Sequence, residues 1–387
     1  MHGLSRFSVS SFSEMKYFII AGEPSGDLHG SSLARRLRLA DPAADISCWG
    51  GDLMQEAGAK LLKHYRETAF MGVWEVLANI SKVKANFGEC RRQIIGMRPD
   101  VVILIDYPGF NLRMARFAKE SGFRVYYYIS PKFWAWREGR VEKLKRYVDR
   151  LYIIFPFEKD FYRRHQFPAI FMGNPLIDHI EGWRSKAPAT ETIKSSLNLD
   201  SRPVIALLSG SRNQEVSRIL PVMASVAASF PDYQFVVAAM DHLPADLYKR
   251  CTEGCPVRII NGRTYDLLAV AEAALVTSGT ATLETALFDV PQVVCYSTSR
   301  LTYFLAKWVI KVRFISLVNL VMDREVVREL IQGELNLTGL HRELSQILST
   351  GYRHGMMKKD YRELREILGG SGASERVAAD IVASLEP

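Results

Sequence analysis

No stretch of this chain comes near the roughly 18 consecutive uncharged apolar residues that a membrane-spanning helix needs, so no spanning helix is expected. The opening residues, MHGLSRFSVSSFSE, hold no apolar run of signal-peptide length. They precede a second methionine, Met15, and read as a disordered or mis-assigned start, with the cytoplasm as the expected compartment. Cysteine is scarce. The five present form no CxxC pair and have no histidine at zinc-ligand spacing, which argues for packed, reduced thiols over a disulfide framework or a zinc site. There is no GxGxxG and no Walker A loop, which argues against NAD and ATP. No Asp-x-Asp pair occurs, so one common device for holding a divalent ion against a diphosphate is missing. GxSxG and HExxH are absent too. Without an RNP-like strand, a helix-turn-helix pattern or a basic tail, nucleic acid is not the expected partner.

What is present is enough for two domains of ordinary size: 387 residues, 48% hydrophobic and 24% charged. A net charge of +8 points to an anionic partner, either a phosphorylated substrate or acidic lipid. Continuous apolar runs read as strands at Tyr17–Ala21, Val101–Ile105, Val125–Ile129, Leu151–Phe155, Val204–Leu208, Gln234–Ala238, Ala274–Val276 and Gln292–Cys295. Amphipathic stretches such as Gly30–Leu39, Asn111–Lys119 and Glu138–Tyr147 lie between them. Unbroken apolar strands separated by helices indicate parallel sheets buried on both faces, an α/β doubly wound architecture. A polar, proline-bearing break near 176–203 divides the chain. The expected domains are 15–180 and 181–387, two Rossmann-like halves facing a cleft, with 1–14 as an extension.

Each half opens with a strand, a Gly/Ser turn and a helix. In AGEPSGD, Gly22 and Gly26 permit a tight turn, and Ser25 or Asp27 is placed to cap the helix. Its N-terminal N–H groups suit a phosphate or hydroxyl, or no ligand at all. In IDYPGFN, Asp106 directly follows a strand; it is either a general base or an N-cap for a helix beginning near Asn111. SPKFWAWREGR places two tryptophans beside basic residues, a combination that binds sugar faces and anions or packs as an ordinary loop. In the second half, LSGSRNQE offers Ser211 and Arg212 to a diphosphate. VTSGTATLE sets Ser278, Gly279 and Thr280 at a strand-to-helix turn, with Glu284 one turn inside the helix, where a carboxylate accepts ribose hydroxyls or closes a capping box.

Two segments are more apolar than a water-soluble substrate requires. Phe70–Ile80 carries a helical stripe at 70, 73, 74, 77 and 80, including Val73 and Trp74 and widened by Met71 and Val76. Leu301–Met322 combines Phe304 and Trp308 with lysines and an arginine. Both fit a membrane interface, a core or a dimer surface.

In order along the chain stand AGEPSGDLHG, FMGVWEVL, IDYPGFN, SPKFWAWR, FPFEKDFY, GNPL, LSGSRNQE, TSGTATLE and SLVNL. Together they resemble the lipid A disaccharide synthases, glycosyltransferase family 19, from about Lys16 to beyond Asn319. The resemblance implies the GT-B fold and an inverting transfer from UDP-2,3-diacylglucosamine to the 6-hydroxyl of 2,3-diacylglucosamine 1-phosphate (lipid X). It implies Asp106 as base, Arg212 at the diphosphate, Glu284 at the ribose and Ser278, Gly279 and Thr280 as the phosphate turn. Glu23, Ser25, Gly26 and Glu75 would line the acceptor side, and Asn319 would be a further polar site position. No cofactor or metal is implied. Peripheral attachment to the inner membrane is expected, as is a homodimer. The C-terminal helices either cross back to the first domain or exchange between protomers. The sequence departs from the family pattern at LSGSR, EPSGD and Gly109, which are changes of loop shape.

Overall fold

The computed structural model describes residues 14–67, 80–136, 138–299, 303–304 and 312–386. The chain divides into two compact units, Met1–Pro175 with Gly372–Pro387, and Leu176–Ser371. Helices Pro175–Arg184 and Thr190–Ser196 occupy the stretch where the sequence reads as a break.

The first unit is built on a seven-stranded parallel sheet. In chain order its strands are β1 (Lys16–Ala21), β2 (Asp45–Gly50), β3 (Lys60–His64), β4 (Val101–Ile105), β5 (Arg124–Tyr128), β6 (Arg150–Ile153) and β7 (Ala169–Phe171), arranged spatially β3-β2-β1-β4-β5-β6-β7. Successive β1 side chains enter opposite cores. Tyr17 and Ile19 pack with the Pro24–Ala40 helix on one face. Phe18 and Ile20 pack with the Pro108–Glu120 helix on the other. A central strand therefore has to be apolar at every position, which is why β1 and β4 stand out in the sequence. The last helix, Ala373–Leu385, belongs to this unit. Val377, Ala378, Ile381 and Leu385 enter its core. Asp380 accepts hydrogen bonds from Arg150 (2.6 Å) and the Tyr152 hydroxyl (2.7 Å).

The second unit carries a six-stranded parallel sheet: β8 (Val204–Leu208), β9 (Gln234–Ala239), β10 (Val257–Asn261), β11 (Ala271–Thr277), β12 (Gln292–Tyr296) and β13 (Arg328–Ile331), in the order β10-β9-β8-β11-β12-β13. Strand order reverses between β1 and β4 in the first sheet and between β8 and β11 in the second. At such a switch point the loops leave in opposite directions and open a crevice at the carboxyl ends of the strands. Among the described residues, no helix is long and apolar enough to cross a membrane.

Candidate active site

Four of the five turns singled out in the sequence follow β1, β4, β8 and β11, the strands that flank the two switch points, and the fifth, SPKFWAWR, follows β5. In the first unit, β4 ends at Ile105, and Asp106 (φ 42°) and Tyr107 (φ 47°) both take the left-handed conformation. Two adjacent non-glycine residues in that region cost about 1–3 kcal/mol each and persist only where their surroundings hold them. Here Asn111 Nδ2 donates to the carbonyls of Ile105 (3.1 Å) and Asp106 (2.9 Å). The Tyr127 hydroxyl donates to the Asp106 carbonyl as well. The Tyr107 ring lies against Gly22, where a Cβ would stand 2.2 Å from it. The following helix begins at Pro108 with Tyr107 in the N-cap position, so Asp106 is not that helix's cap.

Burial pushes the Asp106 carboxyl up to about 6; Lys132 opposes this and Glu23 adds to it. Lys132 comes from the SPKFWAWR loop, a contribution that was invisible until β5 was seen beside β4. That loop is held from behind. The Ser130 hydroxyl shares a 2.6 Å hydrogen bond with Tyr162. Buried Glu158, pushed up to about 7 by burial, accepts the N–H groups of Ile154 and Phe155.

In the AGEPSGD turn Glu23 is the N-cap residue and makes no side-chain cap. Ser25 is exposed at the helix start, and Gly26 lets the helix approach Ala21, whose Cβ would be 3.2 Å from an added Cβ. Asp27 corrects the sequence reading. Its buried carboxylate caps a different helix, accepting the N–H groups of Gly51 (2.7 Å), Leu53 (3.1 Å) and Met54 (3.1 Å). Gly109 has open space around it, enough for a side chain.

In the second unit, Gly210 (φ 102°) turns the chain after β8. Glu215 then accepts the N–H groups of Ser211 (3.2 Å) and Arg212 (3.3 Å). It also pairs with the Arg212 guanidinium at 3.3 Å. The His242 ring, absent from the sequence reading, lies 2.9 Å from the Ser211 carbonyl. Arg212 stays mostly exposed, presented by a fixed turn. After β11, the Ser278 hydroxyl donates to the Ile315 carbonyl (2.8 Å), and Thr280 begins a helix behind Gly279. The hydroxyls of Ser209 and Thr277, at the ends of β8 and β11, are buried with no hydrogen-bond partner among the described residues. Such groups are costly to leave unpaired, and both lie at the switch point.

Glu284 sits on the Thr280–Leu287 helix and receives the Tyr265 hydroxyl at 2.8 Å. Burial raises its carboxyl, and the Tyr265 hydrogen bond counters that rise. Tyr265 is itself enclosed by His179, Trp183 and Phe288, at ring distances of 5.5, 6.0 and 5.1 Å. The second oxygen of Glu284 has no hydrogen bond to a described residue. No sequence signal marked Tyr265, because its partner is 19 residues away.

Asn319 lies on the helix Leu317–Met322. It is fully buried. Its amide oxygen accepts from Val326 (2.8 Å) and Val327 (3.0 Å), and its amide nitrogen donates to the Val327 carbonyl (2.8 Å) and Glu329 (2.9 Å). Every hydrogen-bonding site on the amide is used, so it acts as an internal brace. Phe304 is largely exposed. Glu75, Met71, Val73, Trp74 and Trp308 lie outside the described residues.

Comparison with known proteins fits this geometry. Solved structures share the fold at low identity. A UDP-GlcNAc 2-epimerase from Neisseria meningitidis bound to UDP-GlcNAc superposes with a TM-score of 0.69 at 13% identity, over 95% of this chain and 100% of that one. A glycosyltransferase from Rickettsia africae gives 0.59 at 10% identity, over 97% and 99%. The architecture is therefore GT-B. Curated relatives named lipid-A-disaccharide synthase are much nearer in sequence. The Trichlorobacter lovleyi protein is 39% identical over 96% of this chain and 98% of its own length. The Coxiella burnetii protein is 35% identical over 95% and 97%. With a family model described as Lipid-A-disaccharide synthetase matching residues 17–381, the chain belongs to the lipid-A-disaccharide synthase family, glycosyltransferases of lipid A biosynthesis.

Proposed function

We propose that the chain transfers 2,3-diacylglucosamine from UDP-2,3-diacylglucosamine to the 6-hydroxyl of lipid X, with inversion, giving the β-1,6 disaccharide 1-phosphate and UDP. The observation that carries this reading is the placement of four of the five chemistry-bearing turns at the two switch points. Asp106 takes the proton of the acceptor 6-hydroxyl as that oxygen attacks the anomeric carbon. The bond from that carbon to the diphosphate breaks, and UDP leaves with its charge balanced by Arg212 and by N–H groups of the Ser211 and Ser278–Thr280 turns. That balance calls for no divalent ion and no cofactor. The free oxygen of Glu284 accepts from the ribose. Glu23, Ser25 and Gly26 shape the acceptor side.

Both substrates carry acyl chains. We place the protein in the cytoplasm, as a homodimer held peripherally on the inner membrane through Met71, Val73, Trp74, Phe304 and Trp308. The test is incubation of purified protein with donor and lipid X in the presence of EDTA, followed by mass spectrometry. The disaccharide phosphate and UDP should appear together. Failure to form them, or epimerisation of soluble UDP-GlcNAc instead, would overturn the assignment. The Asp106→Asn variant should lose at least about a hundredfold in kcat, the usual span for a positioned base, while binding UDP as the parent does. Should it keep full turnover, Asp106 is not the base.

A further inference from the structure

Helices Ile80–Met97 and Pro108–Glu120 lie on the same face of the first sheet. Their inner sides are core: Cys90, Ile94, Met114 and Ala118 are fully buried. Their outer sides leave an open groove of about 570 Å³, walled by Lys84, Arg91, Arg113 and Arg116 and floored by Phe87 and Phe117. The guanidinium of Arg91 stands 4.9 Å above the Phe117 ring, and that of Arg113 stands 5.2 Å from Phe87. One carboxylate lines the groove, Glu120, and Arg116 holds it at 2.9 Å. Lys84, Arg91 and Arg113 make no ion pair with a described residue. Nothing in the reaction proposed above uses these cations.

We infer that this groove seats the phosphate headgroups of acidic phospholipids and docks the first unit on an anionic membrane. The inference rests on the peripheral-membrane reading above and names a surface for it. Guanidinium groups backed by aromatic rings suit phosphate oxygens, since the ring stack fixes the planar donor fork. Three further observations favour a lipid surface. Ile95 lies on the same helical face as Lys84 and Arg91 and is 51% exposed. The chain enters this helix from the apolar segment FMGVWEVLANI. The groove also adjoins the Asp106 turn: Phe87 stacks on Phe110 at 4.4 Å, and Phe110 lies 5.8 Å from Tyr107. A headgroup layer at the groove would lie beside the turn that handles a lipid acceptor.

The experiment is co-sedimentation with phosphatidylcholine vesicles, with and without phosphatidylglycerol. It compares the parent, an Arg91→Gln/Arg113→Gln variant, and an Arg35→Gln/Arg250→Gln control of equal charge loss. Turnover of detergent-dispersed substrates and thermal unfolding establish that each variant is folded. The parent should prefer the acidic vesicles. The groove variant should partition on the order of tenfold to thirtyfold less, at about fivefold per cation near an acidic surface, with the control unchanged. If the groove variant sediments like the parent, or the control loses as much, the groove is not the docking site. Were the parent to bind neither vesicle, the peripheral reading itself would fall. If inorganic phosphate alone stabilises the parent and not the groove variant, with no vesicle preference, the groove is a free-anion site and the inference is wrong.

Discussion

Asp106 joins a strained backbone to a raised carboxyl, and both have measurable consequences. A base must be ionised, so kcat/KM should fall as pH drops through about 6, where burial has moved the group. A flat profile between pH 5 and 8 would remove the assignment. The same shift has a cost in stability. The folded value, about 6, lies above the roughly 3.9 of an unfolded aspartate. The ionised form is thus disfavoured by folding; the cost is absent below about pH 4 and complete above about pH 6. Asp106→Asn should therefore be more heat-stable than the parent at pH 7.5, by on the order of 2 kcal/mol. The gap should narrow as pH falls through 6. Calorimetry at the two ends of that range decides it. In the second unit, the Tyr265 hydroxyl holds one Glu284 oxygen at 2.8 Å and frees the other. Tyr265→Phe should weaken UDP binding about tenfold to a hundredfold, in keeping with loss of a hydrogen bond to a charged group of about 1.5–3 kcal/mol. It should weaken 2′-deoxy-UDP less, because the defect acts through the ribose. Equal losses for both nucleotides would leave Tyr265 as packing alone.

At the scale of elements, the chemistry depends on turns that only particular residues permit. Gly210 holds φ at 102°, and a Cβ there would stand 2.6 Å from a Glu215 carboxylate oxygen. Gly210→Ala should strain the backbone by about 1–3 kcal/mol and loosen Glu215 from Ser211 and Arg212. Calorimetric titration with UDP should show roughly tenfold weaker binding, and unaltered affinity would mean that Arg212 needs no fixed turn. These turns were readable in the sequence because central strands are apolar throughout and end abruptly in Gly, Ser or Asp. Edge strands hide. β3 (KLLKH), β10 (VRIIN) and β13 (RELI) carry charge because one side of each faces no neighbour, and β7 has three residues. β2 (DISCWG) is buried yet mixes Ser, Cys and Gly, so it lacked a β-branched run. Asp27 likewise read as a cap for its own helix, whereas it caps the one after β2. A short polar side chain beside a motif has the same letter whether it meets a ligand or braces a neighbouring loop.

For the molecule as a whole, the division of labour between the units is the remaining test. The return of Ala373–Leu385 to the first unit could not be read from its own amphipathic pattern, since spacing gives an apolar face without naming what covers it. Structurally, Val377, Ile381 and Leu385 complete the core of the first sheet, while the Ser211, Ser278–Thr280 and Glu284 positions lie entirely in the second unit. UDP should therefore slow hydrogen exchange at the ends of β8 and β11 and leave β1 and β4 unaffected. At a hundred times its Kd the slowing of globally opening amides approaches a hundredfold, about 2.7 kcal/mol. A chain ended after Ser371 should show the converse. Amides of β1 and β4 should exchange faster, because the apolar face of the last helix is gone, and transfer to lipid X should collapse. UDP protection at 208–215 and 277–287 should persist in the shortened chain. Protection that appears at 21–27 instead, or that vanishes with the last helix, would mean the nucleotide is not held by the second unit alone.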